Sequence, residues 1–174
     1  LIISEPSNPW MSGAASLFTL DFFRIARERL RADGVFLQWL QLYELSPESI
    51  HTLVRTFHAV FPHVLVMTPD PHSNDTFLIG SAEPLVIDRD RVETWLGHPE
   101  VGPELERARV TAPEDLIGLF FLGEAQIPEL VGPGRLNTDD NAFIEFRAPL
   151  DLLEYATRDA RVPFKGEARG RRRE

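Results

Sequence analysis

Val35-Phe36-Leu37-Gln38-Trp39-Leu40 is followed, after residues 41–45, by Ser46-Pro47-Glu48-Ser49-Ile50-His51-Thr52-Leu53-Val54-Arg55-Thr56-Phe57-His58-Ala59-Val60-Phe61-Pro62. The first run is apolar, short and rich in branched and aromatic side chains, the composition of a buried strand. In the second, Ser46 sits at an N-cap, Pro47 takes the first helical position and Glu48 follows in the first turn. Ile50, Leu53, Val54, Phe57, Val60 and Phe61 then fall on one helical stripe, and Pro62 closes it. A buried strand feeding an amphipathic helix is the repeating unit of an α/β sheet.

Reading outward strengthens the unit. Upstream, residues 1–4 form an apolar run that ends at Glu5-Pro6-Ser7-Asn8-Pro9, where two prolines stop any regular element. Residues 20–31 carry Phe22, Ile25, Ala26 and Leu30 at helical spacing, with Thr19 as N-cap, Asp21 in the first turn and Gly34 placed for a left-handed C-terminal cap. Downstream, residues 63–68 and 76–81 read as two strands joined by a short loop, which favours antiparallel pairing. The order strand, helix, strand, helix, strand, strand predicts half of an open doubly wound sheet. A first strand with nothing before it predicts a raw sheet edge at residues 1–4, where upstream strands would pair in a longer protein.

After Glu83-Pro84 the pattern changes to short helices, expected over 88–96, 103–109 and 113–122. A capping box is read at Thr111-Ala112-Pro113-Glu114, and a turn or two at 125–131. Gly132-Pro133-Gly134 makes a loop, residues 143–146 read as a short strand, and 151–174 read as a basic, frayed tail. The expected organisation is therefore 1–82 for the α/β part, 83–150 for a helical extension with a short terminal strand, and 151–174 for the tail.

The 174 residues contain no cysteine, which excludes disulfides, thiolate metal sites and a cysteine nucleophile. The net charge of −9 argues against a nucleic-acid surface and suits a cationic ligand. No apolar run has the ~20 residues of a membrane span. His51, His58, His63, His72 and His98 show no metal-ligand spacing, Ser4, Ser7, Ser12 and Ser16 lack a nucleophile elbow, and no glycine-rich phosphate loop is present.

Ligands of open α/β sheets lie beyond the carboxyl ends of the strands. Residues 5–10 and 41–43 sit at two such ends and should be neighbours. Glu5 is the carboxylate there and Asn8 an uncharged hydrogen-bonding group. Trp10, Trp39 and Tyr43 could stack on a base, face a cation or pack in the core. Asp139 and Asp140 could hold a distal ammonium or anchor an Asx turn.

The segments Leu1-Ile2-Ile3-Ser4-Glu5-Pro6-Ser7-Asn8-Pro9-Trp10, Ser16-Leu17-Phe18-Thr19, Gly34-Val35-Phe36-Leu37-Gln38-Trp39-Leu40 and Leu136-Asn137-Thr138-Asp139-Asp140-Asn141 with Ile144-Glu145-Phe146 together resemble polyamine aminopropyltransferases, the spermidine synthase-like family. The resemblance spans about residues 1–149. It is nearest to the bacterial branch in which a membrane-embedded region precedes the enzyme domain. It implies the C-terminal half of a Rossmann-like sheet of the class I methyltransferase type with a helical C-terminal extension. It also implies aminopropyl transfer from decarboxylated S-adenosylmethionine to an amine such as putrescine.

In that family the fourth strand ends in Asp, two residues, Asp, Pro. The first Asp helps deprotonate the attacking amine and the second helps hold it. Here Glu5 and Asn8 occupy those positions, so Glu5 becomes the expected catalytic base, while Asn8, Trp10, Gln38, Tyr43, Asp139 and Asp140 become the expected substrate-binding residues. Gln38 is the nearest match to a glutamine that soluble members place near the end of the fifth strand.

The resemblance further implies a cytoplasmic domain, tethered to the inner membrane if such a region precedes it. A homo-oligomer is compatible with it, a metal is not required, and the partner is a small-molecule amine. Decarboxylated S-adenosylmethionine is a co-substrate of the intact protein, and residues 1–174 alone are expected to bind neither it nor S-adenosylmethionine. Two other readings stay open: a related S-adenosylmethionine-dependent alkyl or methyl transferase, and a non-catalytic ligand-sensing domain of the same fold.

Overall fold

The computed structural model describes residues 1–70 and 73–155. They form an α/β fold around a mixed five-stranded sheet of order β1-β2-β4-β3-β5. Strand β1 (Ile2–Ser4) leads through a 3-10 turn (Ala14–Phe18) and α1 (Leu20–Arg29) to β2 (Val35–Gln41), and α2 (Pro47–His58) then leads to β3 (His63–Met67). β1 and β2 pair in parallel, Ser4 opposite Gln38. Strand β4 (Asp75–Ser81) runs antiparallel to both β2 and β3 and fills the slot between them. The slot exists because the helix crossover carries β3 two strand spacings from β2, and β4 pairs antiparallel in the gap. β1 is an edge strand among the described residues, as the apolar opening run predicts.

Local chemistry sets the starts of α1 and α2 as read. Phe22 N–H donates to Thr19 Oγ1 at 3.2 Å, and Ser49 N–H donates to Ser46 Oγ at 3.2 Å, so both N-caps form. α1 ends at Arg29, and Gly34 does not take the expected left-handed cap: the glycines with positive φ among the described residues are Gly13 and Gly132.

One sheet face carries the core. Phe36, Leu40, Leu78, Val64 and Val66 alternate inward from β2, β4 and β3, and Phe23, Ile50, Leu53, Val54, Phe57 and Phe61 meet them from the helices. The rings interlock edge-to-face and stacked: Phe23 to Phe57 at 5.1 Å, Phe57 to Phe61 at 4.8 Å, and Phe36 to Phe61 at 5.4 Å between centroids. Gly80, opposite Phe36 in the ladder, is what lets them in: a Cβ there would lie 2.7 Å from ring atoms of Phe57 and Phe61. Gly80→Ala is therefore expected to overpack the cluster and destabilise the fold by about 1–3 kcal/mol. A shift of the urea midpoint at constant slope measures it, and an unchanged midpoint would mean the rings are not fixed as described.

The second half of the chain departs from the sequence expectations in four places. Helices α3 (Arg89–Leu96), α4 (Gly102–Arg107) and α5 (Pro113–Ile117) follow β4, but the helix expected over 113–122 stops at Ile117 and residues 120–122 become β5 (Phe120–Leu122), pairing antiparallel with β3. The helix cap also shifts: Ala112 is the N-cap, and Asp115 rather than Glu114 closes the box, accepting from Thr111 N–H, Thr111 Oγ and Ala112 N–H at 2.8–3.0 Å. Those bonds hold the Asp115 carboxyl below its usual range, while Glu114 turns to the Arg89 guanidinium.

The third departure is the strand expected at 143–146. It is the first turn of α7 (Phe143–Tyr155), preceded by a short α6 (Ile127–Val131). Ile144, Ala148 and Asp151 are fully buried at four- and three-residue spacing, a helical period that the run Phe-Ile-Glu-Phe conceals when read alone. Residues 151–155, expected to begin a frayed tail, continue α7, and Asp151 is buried against α2. Its carboxylate accepts from Ser46 N–H at 2.9 Å, Ser46 Oγ at 2.8 Å and Ser49 Oγ. Residues 156–174 lie outside the described residues. None of the described helices is long and apolar enough to cross a membrane.

Candidate functional site

The parallel pairing of β1 and β2 brings residues 5–10 beside residues 42–45 at one end of the sheet. The segments touch through side chains. Asn8 Nδ2 donates to Tyr43 Oη at 3.4 Å, and the Trp10 ring meets the Tyr43 ring edge-to-face at 5.9 Å. All three are half-buried, so each keeps a solvent-facing side. Glu5 lies at the start of the same segment, exposed, with no hydrogen bond or ion pair among the described residues. It stands three residues before Asn8, directly after the last residue of β1.

Gln38 takes a different place. It is fully buried on the core face of β2, its Nε2 donating to Trp39 O at 3.0 Å and its Oε1 unpartnered among the described residues. Gln41, at the end of the strand, is likewise buried with neither amide atom bonded. Trp39 points to the other face and donates Nε1–H to Asp75 Oδ1 at 3.1 Å, which accounts for it structurally.

The Leu136–Asn141 run divides into framework and surface. Asn137 is buried and ties three elements together: its N–H donates to Thr56 Oγ1 at 2.9 Å, its Nδ2 to Phe18 O at 3.1 Å, and its Oδ1 accepts from Ile144 N–H at 3.0 Å. Thr138 and Asn141 bond reciprocally, each side chain accepting the other's backbone N–H at 3.1–3.2 Å, and Asn141 Oδ1 also caps the start of α7 through Phe143 N–H. The Asx-turn reading therefore belongs to Asn141, and Asp139 and Asp140 are left exposed with carboxylates that bond to no described residue. Arg55 secures the approach to this run, donating to the carbonyls of Val131, Gly132 and Arg135. Burial pushes its guanidinium pKa down, with the charge of Glu48 opposing.

Asp139 lines a cavity of about 270 Å³ between the 3-10 turn after β1 and the start of α7. Glu145, which sequence reading had placed in a strand and given no role, lines the same cavity, its Oε1 accepting Gly13 N–H at 3.2 Å. Gly13 adopts φ 82° there, the left-handed region that glycine enters without strain. The four-residue spacing of Ile144 and Ala148 signals the helix that carries Glu145, legible only once the strand reading is dropped.

No protein-family model and no curated protein matches the chain. Solved structures of similar fold were found, among them a probable spermidine synthase from Corynebacterium glutamicum, at 14% identity and a TM-score of 0.45, over 71% of this chain and 41% of that one. The chain thus spans about two fifths of that protein's length. A likeness of that extent assigns no residue and no reaction to this chain.

Proposed function

We propose that the chain belongs to a transferase that moves an aminopropyl group from decarboxylated S-adenosylmethionine to an amine, with Glu5 as proton acceptor. The observation that carries this reading is the meeting of Asn8, Trp10 and Tyr43 at the carboxyl ends of two parallel strands, where open α/β sheets bind ligands, in the segment that Glu5 opens. A primary amine is protonated near neutral pH, with a pKa of ~10.4 for a lysine-like group, and lacks a lone pair until a base removes the proton. Glu5 takes that proton; the nitrogen lone pair forms the new C–N bond; the C–S bond breaks and its electron pair returns to sulfur, leaving a neutral thioether. Asn8 and Tyr43 orient the acceptor, and Trp10 gives it a wall.

The test is an assay of the intact protein with labelled decarboxylated S-adenosylmethionine and a panel of mono- and diamines. Label in an elongated amine supports the reading, and label retained wholly in the donor overturns it. A related alkyl or methyl transferase is the second reading. It is favoured by Asn8, a neutral amide bonded to Tyr43 where a second carboxylate would attract a dication. Asn8→Asp separates the two. It is expected to lower the Michaelis constant for a diamine by about fivefold to tenfold, the worth of one partly exposed charge-assisted hydrogen bond. Steady-state kinetics with matched mono- and diamines measures it, and an equal change for both would speak against a diamine acceptor.

A further inference from the structure

The connection from β2 to α2 carries Tyr43 into the strand-end group, and two features of it are unfavourable in the folded state. Gln41, the last residue of β2, is fully buried, and neither its Nε2 nor its Oε1 bonds to a described residue. Gln38, buried on the same strand, at least places its Nε2 on Trp39 O, whereas Gln41 places neither atom. An amide taken from water without a partner destabilises the state that buries it. Further along the connection, Glu44 has φ 59°, in the left-handed region that strains a residue carrying a Cβ. Its carboxylate makes no hydrogen bond or ion pair among the described residues that would offset the strain.

Neither feature belongs to a loose loop. Leu42 and Leu45 are buried, Leu42 N–H donates to Asn74 O at 2.8 Å, and Ser46 is held by the Asp151 carboxylate. The segment is pinned at both ends and strained between them. Releasing the Leu42–Asn74 bond lets the turn at Tyr43 and Glu44 relax and brings the Gln41 amide to water, while Ser46 stays at the start of α2. Local openings of this kind lie below the free energy of global unfolding. Tyr43 rides on the turn, so opening also parts it from Asn8, and the 3.4 Å bond between them is at the weak end of the hydrogen-bond range.

We infer that residues 41–45 are a two-state strap over the strand-end group. Closed, it stows the Gln41 amide and sets Tyr43 against Asn8 and Trp10; open, it releases the amide and turns Tyr43 away. The unpaired amide and the Glu44 backbone raise the closed state towards the open one, so that a ligand with modest preference shifts the balance. The strap regulates access to the site of the proposed transfer and rests on that reading only for what enters. Opening itself needs no ligand.

Amide hydrogen exchange of the full protein, followed by NMR without ligand, is the experiment. In the parent, Leu42 N–H is expected to exchange through the strap opening, with protection at least about tenfold below that of Leu53 N–H in the middle of α2. Gln41→Met keeps the length of the side chain and removes the unpaired amide. It is expected to raise the Leu42 protection factor about tenfold and to shift the urea midpoint upward. Glu44→Gly removes the Cβ that strains the turn and is expected to raise the same factor about threefold; it decides the matter should Gln41→Met fail to fold. Leu42 as well protected as Leu53 in the parent, or a Leu42 protection factor unchanged or lowered in a folded variant, would overturn the inference. Failure of the proposed reaction looks different: the strap still opens, but no label passes from the sulfonium donor.

Discussion

Glu5→Gln in the intact protein is expected to cut turnover at saturating substrates by about 10²–10⁴-fold, roughly 3–5 kcal/mol of barrier. Glu5 is the carboxylate of residues 4–10, and among the described residues it engages no side chain that would compete for a proton-accepting role such as the one proposed. Glutamine preserves its length and one acceptor oxygen but takes no proton near neutral pH. Donor affinity is expected to change far less than turnover, because in the proposed reading Glu5 acts on the proton of the acceptor amine. Single-turnover kinetics with a prebound donor isolates the step. Turnover within about threefold of the parent, under ~1 kcal/mol, would mean that another group removes the proton.

Asp151→Ala is expected to cost about 3–5 kcal/mol of stability. The carboxylate is fully buried and gathers one backbone N–H and two hydroxyls at the first turn of α2. Arg147 Nε lies 2.7 Å from its other oxygen, a close charge contact without the alignment of a hydrogen bond. Removing the acid strands those donors in a dry site and takes a negative charge from the N-terminus of α2, where the helix dipole favours one. Asp151→Asn keeps the volume and one acceptor and should lose less. Urea unfolding followed by circular dichroism measures both, and a loss below ~1 kcal/mol for alanine would mean that α7 is not docked on α2 in solution. The same docking fixes Ile144 and, one residue on, Glu145, so the cavity depends on a contact made far along the helix.

Much of the first half of the fold was legible because its signals are local. Caps at Thr19 and Ser46, prolines at 6, 9, 47 and 62, and the alternation in 35–41 and 76–81 specify element type without reference to distant residues. The second half was less legible because short apolar runs are ambiguous. Phe120-Phe121-Leu122 and Phe143-Ile144-Glu145-Phe146 look equally strand-like, yet one pairs with β3 and the other coils, and the difference lies in what each meets. Ile144 and Ala148 reach the core only as a helix, whereas residues 120–122 find the open edge of β3.

The candidate site divides in the same way. The sequence by itself determined that Glu5, Asn8 and Trp10 follow a strand, that Tyr43 follows another, and that helix-linked strands pair in parallel, which places all four at one end of a sheet. Only the tertiary structure decided that Asn8 and Trp10 close on Tyr43 while Gln38 turns inward, because side-chain direction depends on which face each helix covers. It also decided that Asn137, Thr138 and Asn141 serve the framework and leave Asp139 to the cavity, and that Glu145 joins it from α7. Several of those assignments rest on contacts between distant residues, Gly13 with Glu145 across 132 positions and Phe18 with Asn137 across 119, and no local pattern encodes a contact over that separation.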